Sequence, residues 1–313
     1  MLTFVLRRLA AGVVLLLTIT TLTYVLLYIS GTNIARNILG EFATPEQLAA
    51  KQAELGLDQP LFTRYVDWLG GALTGNLGRS WFTGEPVLQA LSNRLPVTLT
   101  IVFVALVVAA VIAAGLGIAA AVYRGWVDRF VQFLSLAGDA LPSFVVAIVL
   151  VTTLAIQAKL FPATGFVPFA QNPGLWLASI ALPVTALVFQ LTASAAQQFR
   201  SAIIDVRRRD YVRTLRSRGL SEREVLSRHV LRSAAPPALT ILSLNFVALL
   251  GGSITIEQIF ALPGIGPLAI GSTTQGDIPM VMGIVVYTVI MVILVNLVVD
   301  LLNGWLNPKV RVS

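Results

Sequence analysis

Six mostly apolar stretches run for about 20 residues or more, the length a helix needs to cross a bilayer. They lie near Leu9–Ile29, Val97–Val122, Phe133–Gln157, Leu175–Ala195, Ala238–Ile256 and Met280–Leu302. None alternates polar and apolar residues with the period of two that marks a membrane-barrel strand. The pattern predicts an all-α, polytopic membrane protein with six transmembrane helices. Pro142 falls inside the third stretch, where a lost backbone hydrogen bond bends a helix, and Gly251-Gly252 loosens the fifth.

The polar segments between these stretches carry their own signals. Gly31–Leu95 is too long for a simple connection and is expected to be structured. Within it Thr44-Pro45-Glu46-Gln47 reads as a helix start, with Thr44 as N-cap, Pro45 at N1 and Gln47 completing a capping box. That helix is expected to run to about Leu55 and stop at Gly56. Tyr65, Trp68, Leu69, Trp81 and Phe82 suit anchoring at the membrane interface or a docking surface. Between the fifth and sixth stretches, Pro263, Gly264, Gly266 and Pro267 fit either a tight turn returning to the membrane or an ordinary external loop.

Composition agrees with a membrane protein. The 313 residues are 56% hydrophobic and 12% charged, and the mean hydropathy is +0.83, far outside the range of soluble domains. Absence of cysteine excludes disulfides, thiolate ligands and cysteine nucleophiles, and the single histidine, His229, excludes a multi-histidine metal cage. The net charge of +7 does not point to nucleic acid, because the basic residues cluster at the ends of apolar stretches. Arg7-Arg8 before an apolar run resembles an export signal. The run is too long for one and has no A-x-A cleavage site, so an uncleaved first span is expected.

Six spans put both ends of the chain on one side. With the ends inside, 16 basic residues face inward, including Arg124, Lys309 and Arg311, and six face outward. Positive-inside bias therefore predicts cytoplasmic termini and an extracytoplasmic Gly31–Leu95 segment. Ten of the 22 basic residues lie between Arg200 and Arg232, in an inward loop of about 197–237.

That loop is ordered beyond what charge retention needs. Val212–Arg218 lacks helix breakers, and Gly219 stands where a C′ cap requires positive φ. Ser221-Glu222-Arg223-Glu224 is an S-x-x-E capping box that starts a second helix, with Leu226 and Val230 on one face and Pro236-Pro237 as its end. The product is a two-armed elbow.

Tyr211–Pro237 resembles the cytoplasmic loop of binding-protein-dependent ABC importer permeases of the dipeptide/oligopeptide/nickel branch. That loop usually reads E-A-A-x-x-x-G across the superfamily and R-T-A in this branch. Here Arg213-Thr214-Leu215 precedes Gly219, with Leu215 in place of alanine. Residues 55–61 and 68–80 are similar to the branch's first external segment, 94–99 to the start of its core, 262–266 to its last external loop, and 295–311 to its close. Ser30-Gly31-Thr32-Asn33 replaces the P-G-D-P common after the first span.

The resemblance implies a type I ABC importer permease fold. Residues 1–94 would form the first transmembrane helix and extracytoplasmic segment, 95–306 the five-helix core, and 307–313 a cytoplasmic tail. It implies a second homologous permease subunit, two cytosolic ATPases and an extracytoplasmic solute-binding protein around a chain embedded in the cytoplasmic membrane. Gly219, Leu220, Ser221, Glu222, Arg223 and Glu224, within the 211–232 loop, would couple to an ATPase. Di- or oligopeptides would be the substrate, with nickel chelates, glutathione or opines as alternatives.

The chain itself has no P-loop, since Ala50, Ala158 and Pro308 precede its three lysines where G-K-[ST] would need glycine. ATP and Mg2+ are therefore expected in partner subunits, with no cofactor or metal on this chain and no enzymatic activity. A secondary transporter or channel would need ionisable groups within the membrane. Only Asp139, Glu257 and Asp300 approach the spans, each near an expected end, and Asp139 fits the cytoplasmic interface ahead of a pore role. Gln190, Asn245 and Asn296 are polar positions inside spans, suited to helix–helix hydrogen bonds or to lining a path. No nucleophile–base pair supports a membrane enzyme.

Overall fold

The computed structural model describes residues 2–29, 34–123 and 125–306. The Ser30–Asn33 departure, Arg124 and the expected tail 307–313 with Lys309 and Arg311 lie outside them. The described residues contain no strand. Five helices are long and apolar enough to span a membrane, and a bent pair supplies a sixth crossing if taken together. By contacts the chain divides into two compact units, one of Leu99–Leu262 with the chain from Leu294 on, the other of Leu2–Thr98 with Pro263–Ile293.

The second of these units contains α1 (Leu2–Ile29), α2 (Ile34–Leu39), α3 (Pro45–Glu54), α4 (Leu61–Leu73), the first turns of α5 (Val87–Tyr123), α12 (Ile265–Gln275) and the first half of α13 (Ile278–Leu306). The capping box forms as expected: Thr44 Oγ1 accepts from Gln47 N–H, Gln47 Oε1 accepts from Thr44 N–H at 2.9 Å, and α3 gives way to Gly56 at φ +65°. The aromatic residues are packed rather than displayed. Tyr65, Trp68, Trp81 and Phe82 close over Tyr24, Ile34, Ile278 and Met282, and the Tyr65 hydroxyl bonds Thr20 and Thr21 of α1. Asp277 is buried and accepts from Ser80 Oγ and Trp81 N–H, tying the 80–83 turn to the start of α13. The glycine-rich 263–267 stretch resolves as a short turn into α12, whose first amide, Ile265 N–H, donates to Thr98 Oγ1 at 2.8 Å.

The other unit holds the rest of α5, α6 (Trp126–Ala140), α7 (Ser143–Leu150) running on as a π-helical turn to Gln157, α8 (Pro173–Arg207), α9 (Asp210–Ser217), α10 (Glu222–Glu224), a second π-helical turn (Val225–Val230), α11 (Leu231–Ile259) and the end of α13. Helix α8 is its axis, packed by α6, α7 and α11. Lipid tails offer no hydrophobic drive between helices, so close backbone approach through small residues supplies the packing. A Cβ on Gly138 of α6 would sit 2.3 Å from Ala193 Cβ of α8, and one on Gly117 of α5 would sit 2.7 Å from Phe199 Cβ. The third expected span is where the fold departs most from a straight crossing. Helices α6 and α7 meet at Leu141–Pro142 with an 88° bend.

Candidate functional site

The elbow forms around Gly219, at φ +86°. Its preceding helix α9 ends in a full Schellman motif: Gly219 N–H donates to Arg216 O at 2.9 Å, and Leu220 N–H to Leu215 O at 3.3 Å. Leu215 and Leu220 pack together on a core of Ile203, Val206, Val212, Val225 and Val230, so the leucine that departs from the branch pattern supplies the apolar contact of this cap. The second arm opens on Ser221, whose Oγ accepts from Glu224 N–H at 3.3 Å. The reciprocal half of the expected box is replaced: the Glu224 carboxylate turns forward to Arg228 Nη1 at 2.7 Å.

Two features of the second arm correct the sequence reading. Val225–Val230 is π-helical, so Val225 and Val230, five apart, are the fully buried pair, while Leu226 is only half-buried. The arm also does not end at Pro236-Pro237. It continues through both prolines as α11, giving one helical run from Glu222 to Ile259. Packing on α8 outweighs the two lost backbone bonds, and Thr240 Oγ1 donates to the carbonyl of Pro236 at 3.2 Å. The elbow's second arm is therefore the end of a membrane-spanning helix, about 57 Å long at 1.5 Å per residue.

Glu222 locks the elbow to the bundle. Its carboxylate takes a two-pronged contact from Arg216, at 2.5 and 3.1 Å, and a third from Arg207 Nη2 at 3.4 Å. Arg207 also donates to the carbonyl of Ala121 near the end of α5, at 2.7 Å. The Arg216 hydrogen bond, assisted by the charges of Arg216 and Arg207, holds the Glu222 carboxyl below the ordinary glutamate range against a small burial penalty. A second ion pair joins Arg200 of α8 to Asp128 in the first turn of α6, with Nη2 to Oδ2 at 2.6 Å. Around the tip, Arg208, Arg209, Arg213, Arg218, Arg223 and Arg228 are exposed, so the elbow presents a cationic face.

A separate cavity of about 240 Å3 lies among α6, α7, α8 and α11. It is lined by Asp139, Ser143, Gln190, Ser194, Asn245 and Gly252 together with Leu187, Leu191, Ala248 and Leu249. The structure thus brings Gln190 and Asn245 together, whereas Asn296 is exposed on α13 and is not among the lining residues. Gln190 Oε1 accepts from Ser143 N–H at the start of α7, at 3.3 Å. Asp139 shares this cavity with Gln190, which lies five residues inside the end of the 175–195 apolar stretch. Glu257 is fully buried near the end of α11, and the described residues hold no cluster of three or more potential metal ligands.

The profile of the "Binding-protein-dependent transport system inner membrane component" family matches residues 112–312, and that of its N-terminal region matches residues 1–102. A putative peptide transport system permease protein of Brucella abortus is 37% identical over 308 residues, covering 98% of both chains. The dipeptide transport system permease protein DppB of Lactococcus lactis is 35% identical over 315 residues, covering 99% of this chain and all of that one. The glutathione transport system permease protein GsiC of Salmonella typhimurium is 33% identical over 312 residues, covering 99% of each. Among solved structures, the MetNI methionine ABC transporter in an inward-facing conformation matches with TM-score 0.58 and 16% identity, over 70% of this chain and 97% of that one. That likeness confirms the helical permease fold. By profile matches along nearly its whole length and by end-to-end relatives, this multi-pass membrane chain belongs to the binding-protein-dependent transport family, as an inner-membrane permease component.

Proposed function

We propose that this chain is one half of a permease pair in an ATP-driven importer of di- or oligopeptides. The observation that carries the coupling assignment is the elbow itself, a doubly capped turn whose second arm is continuous with a spanning helix. An ATPase that grips Gly219–Glu224 would move α11 as a lever, and the Glu222–Arg207 contact would carry the same motion to the ends of α8 and α5. The cationic tip suits a groove lined by acids. Peptide as substrate is supported by full-length relatives named for peptide, dipeptide and glutathione transport. Glutathione is itself a tripeptide, so it falls within the same class of cargo.

In this reading a second homologous permease, two ATPases carrying ATP and Mg2+, and an extracytoplasmic solute-binding protein complete the machine. Residues 1–94 serve as first span and external segment, 95–306 as core, and 307–313 as cytoplasmic tail. The chain has no P-loop of its own, so reconstituted alone it is expected neither to hydrolyse ATP nor to concentrate peptide. Proteoliposomes with the full set of partners are expected to do both. Proton-driven accumulation by the chain alone would overturn the reading.

Orientation follows the charge asymmetry, with both termini cytoplasmic. Because the chain lacks cysteine, single cysteines report it cleanly. Phe42 is fully exposed, so Phe42→Cys is expected to react with an impermeant maleimide on intact cells. Ser313→Cys is expected to react only after lysis, and labelling of Ser313→Cys in intact cells contradicts the assignment.

A further inference from the structure

We propose that Asp139 receives the cationic amino end of the peptide inside the membrane, with Asn245 beside it as donor to a peptide carbonyl. The inference rests on the peptide-importer reading and names a specificity residue within it. Its first support is depth. Gln190, on the same cavity wall, lies inside the 175–195 apolar stretch of α8, five residues or about 8 Å from its end at 1.5 Å per residue, so the cavity opens within the apolar part of the helices that line it. An ionisable side chain there is costly unless it serves a ligand or a path.

Its second support is the chemistry of the lining. Asp139 is the one titratable group among the lining residues. Among the described residues no hydrogen bond or ion pair engages its carboxylate. Asn245 Nδ2 is buried without a hydrogen-bond partner. The cavity therefore offers one free anionic acceptor and one free amide donor, which an ammonium and a neighbouring carbonyl oxygen satisfy together. Backbone electrostatics points the same way. Asp139 stands in the last turn of α6, just before the Leu141–Pro142 break, where unsatisfied carbonyls give a helix its negative end. Broken spans place such half-helix ends against cations.

Size limits what enters. About 240 Å3 is below the roughly 300–1,000 Å3 of sites that enclose a whole drug-sized ligand. It holds one end of a peptide and leaves the remainder outside. Such a site reads the terminal ammonium and tolerates varied side chains and lengths.

The test uses the complete permease–ATPase assembly without the solute-binding protein, whose own selectivity would mask this step. Equilibrium binding of trialanine and N-acetyl-trialanine is measured for the wild type, Asp139→Asn and Asp139→Glu. Loss of a charge-assisted hydrogen bond is expected to weaken trialanine binding by about tenfold or more in Asp139→Asn. N-acetyl-trialanine, which has no ammonium, is expected to bind the wild type and Asp139→Asn alike, and Asp139→Glu is expected to restore most of the trialanine affinity. Equal weakening of both peptides assigns Asp139 a structural or subunit-contact role and overturns the inference. Unchanged trialanine binding in Asp139→Asn, or no binding by a wild type that imports trialanine once the binding protein is restored, overturns it too. Failure of that restored system to import trialanine at all removes the peptide reading itself, and this inference with it.

Discussion

Gly219→Val is expected to reduce ATPase docking and peptide uptake by about tenfold or more while leaving the chain inserted and paired in the membrane. Gly219 holds φ +86°, and a Cβ there would meet nothing within 4 Å. The penalty is therefore conformational and not a clash. A left-handed residue costs an L side chain roughly 1–2 kcal/mol, and a β-branched one is a genuine outlier there. The strain is relieved by rotating the Gly219–Leu220 backbone, which breaks the Leu220-to-Leu215 bond and swings Ser221 away from its capping geometry. Asparagine tolerates this region best among the other residues, so Gly219→Asn is expected to keep most activity, Gly219→Ala to fall between, and Gly219→Val to be lowest. Glu222→Lys reaches the same element through charge. It replaces the acceptor shared by Arg216 and Arg207 with a third cation and sets that charge against a helix N-terminus. Pull-down of the ATPases, read beside uptake, checks the series. Normal docking in Gly219→Val would reduce the loop to a topology signal.

What could be read in advance divides by range along the chain. The Gly219 turn and the Thr44 box were legible because their causes are local, namely a φ only glycine holds cheaply and a hydroxyl three residues from its donor. Apolar run length likewise located the five long apolar helices and the bent pair found among the described residues. Pro142 marked the place of the break, although the 88° angle depends on α8, against which both arms pack, and on α11, which α7 also meets. Pro236-Pro237 misled because the rule that proline ends a helix is local, whereas α11 is held through its prolines by packing against α8. Asp139 shows what a local reading leaves out. Nearness to an expected span end suggested the interface, and only the fold sets it beside Gln190 and Asn245, 51 and 106 positions later in sequence. The available signal was a carboxylate inside an otherwise apolar run, three residues before a proline.

Gly138→Leu is expected to prevent α6 from seating on α8 and to leave little folded protein after extraction in detergent. A single Cβ at 138 would already fall 2.3 Å from Ala193 Cβ and 3.5 Å from the carbonyl of Phe189. Neither is the end of a flexible side chain, so the helices must separate. Separation would strain the Asp128–Arg200 pair at the other end of α6 and displace the Asp139 wall of the cavity. Gly138→Ala gives the milder form of the same conflict, and overpacking of this kind costs about 1–3 kcal/mol. Ala193→Gly removes the opposing methyl at about 1 kcal/mol of helix propensity. The double variant Gly138→Ala/Ala193→Gly moves the one methyl across the contact and is expected to be more stable than Gly138→Ala alone, since residues in direct contact do not add independently. Thermal unfolding of the purified chain in detergent reads this cycle. Strict additivity of the two single changes would show that α6 and α8 do not meet through Gly138 and Ala193.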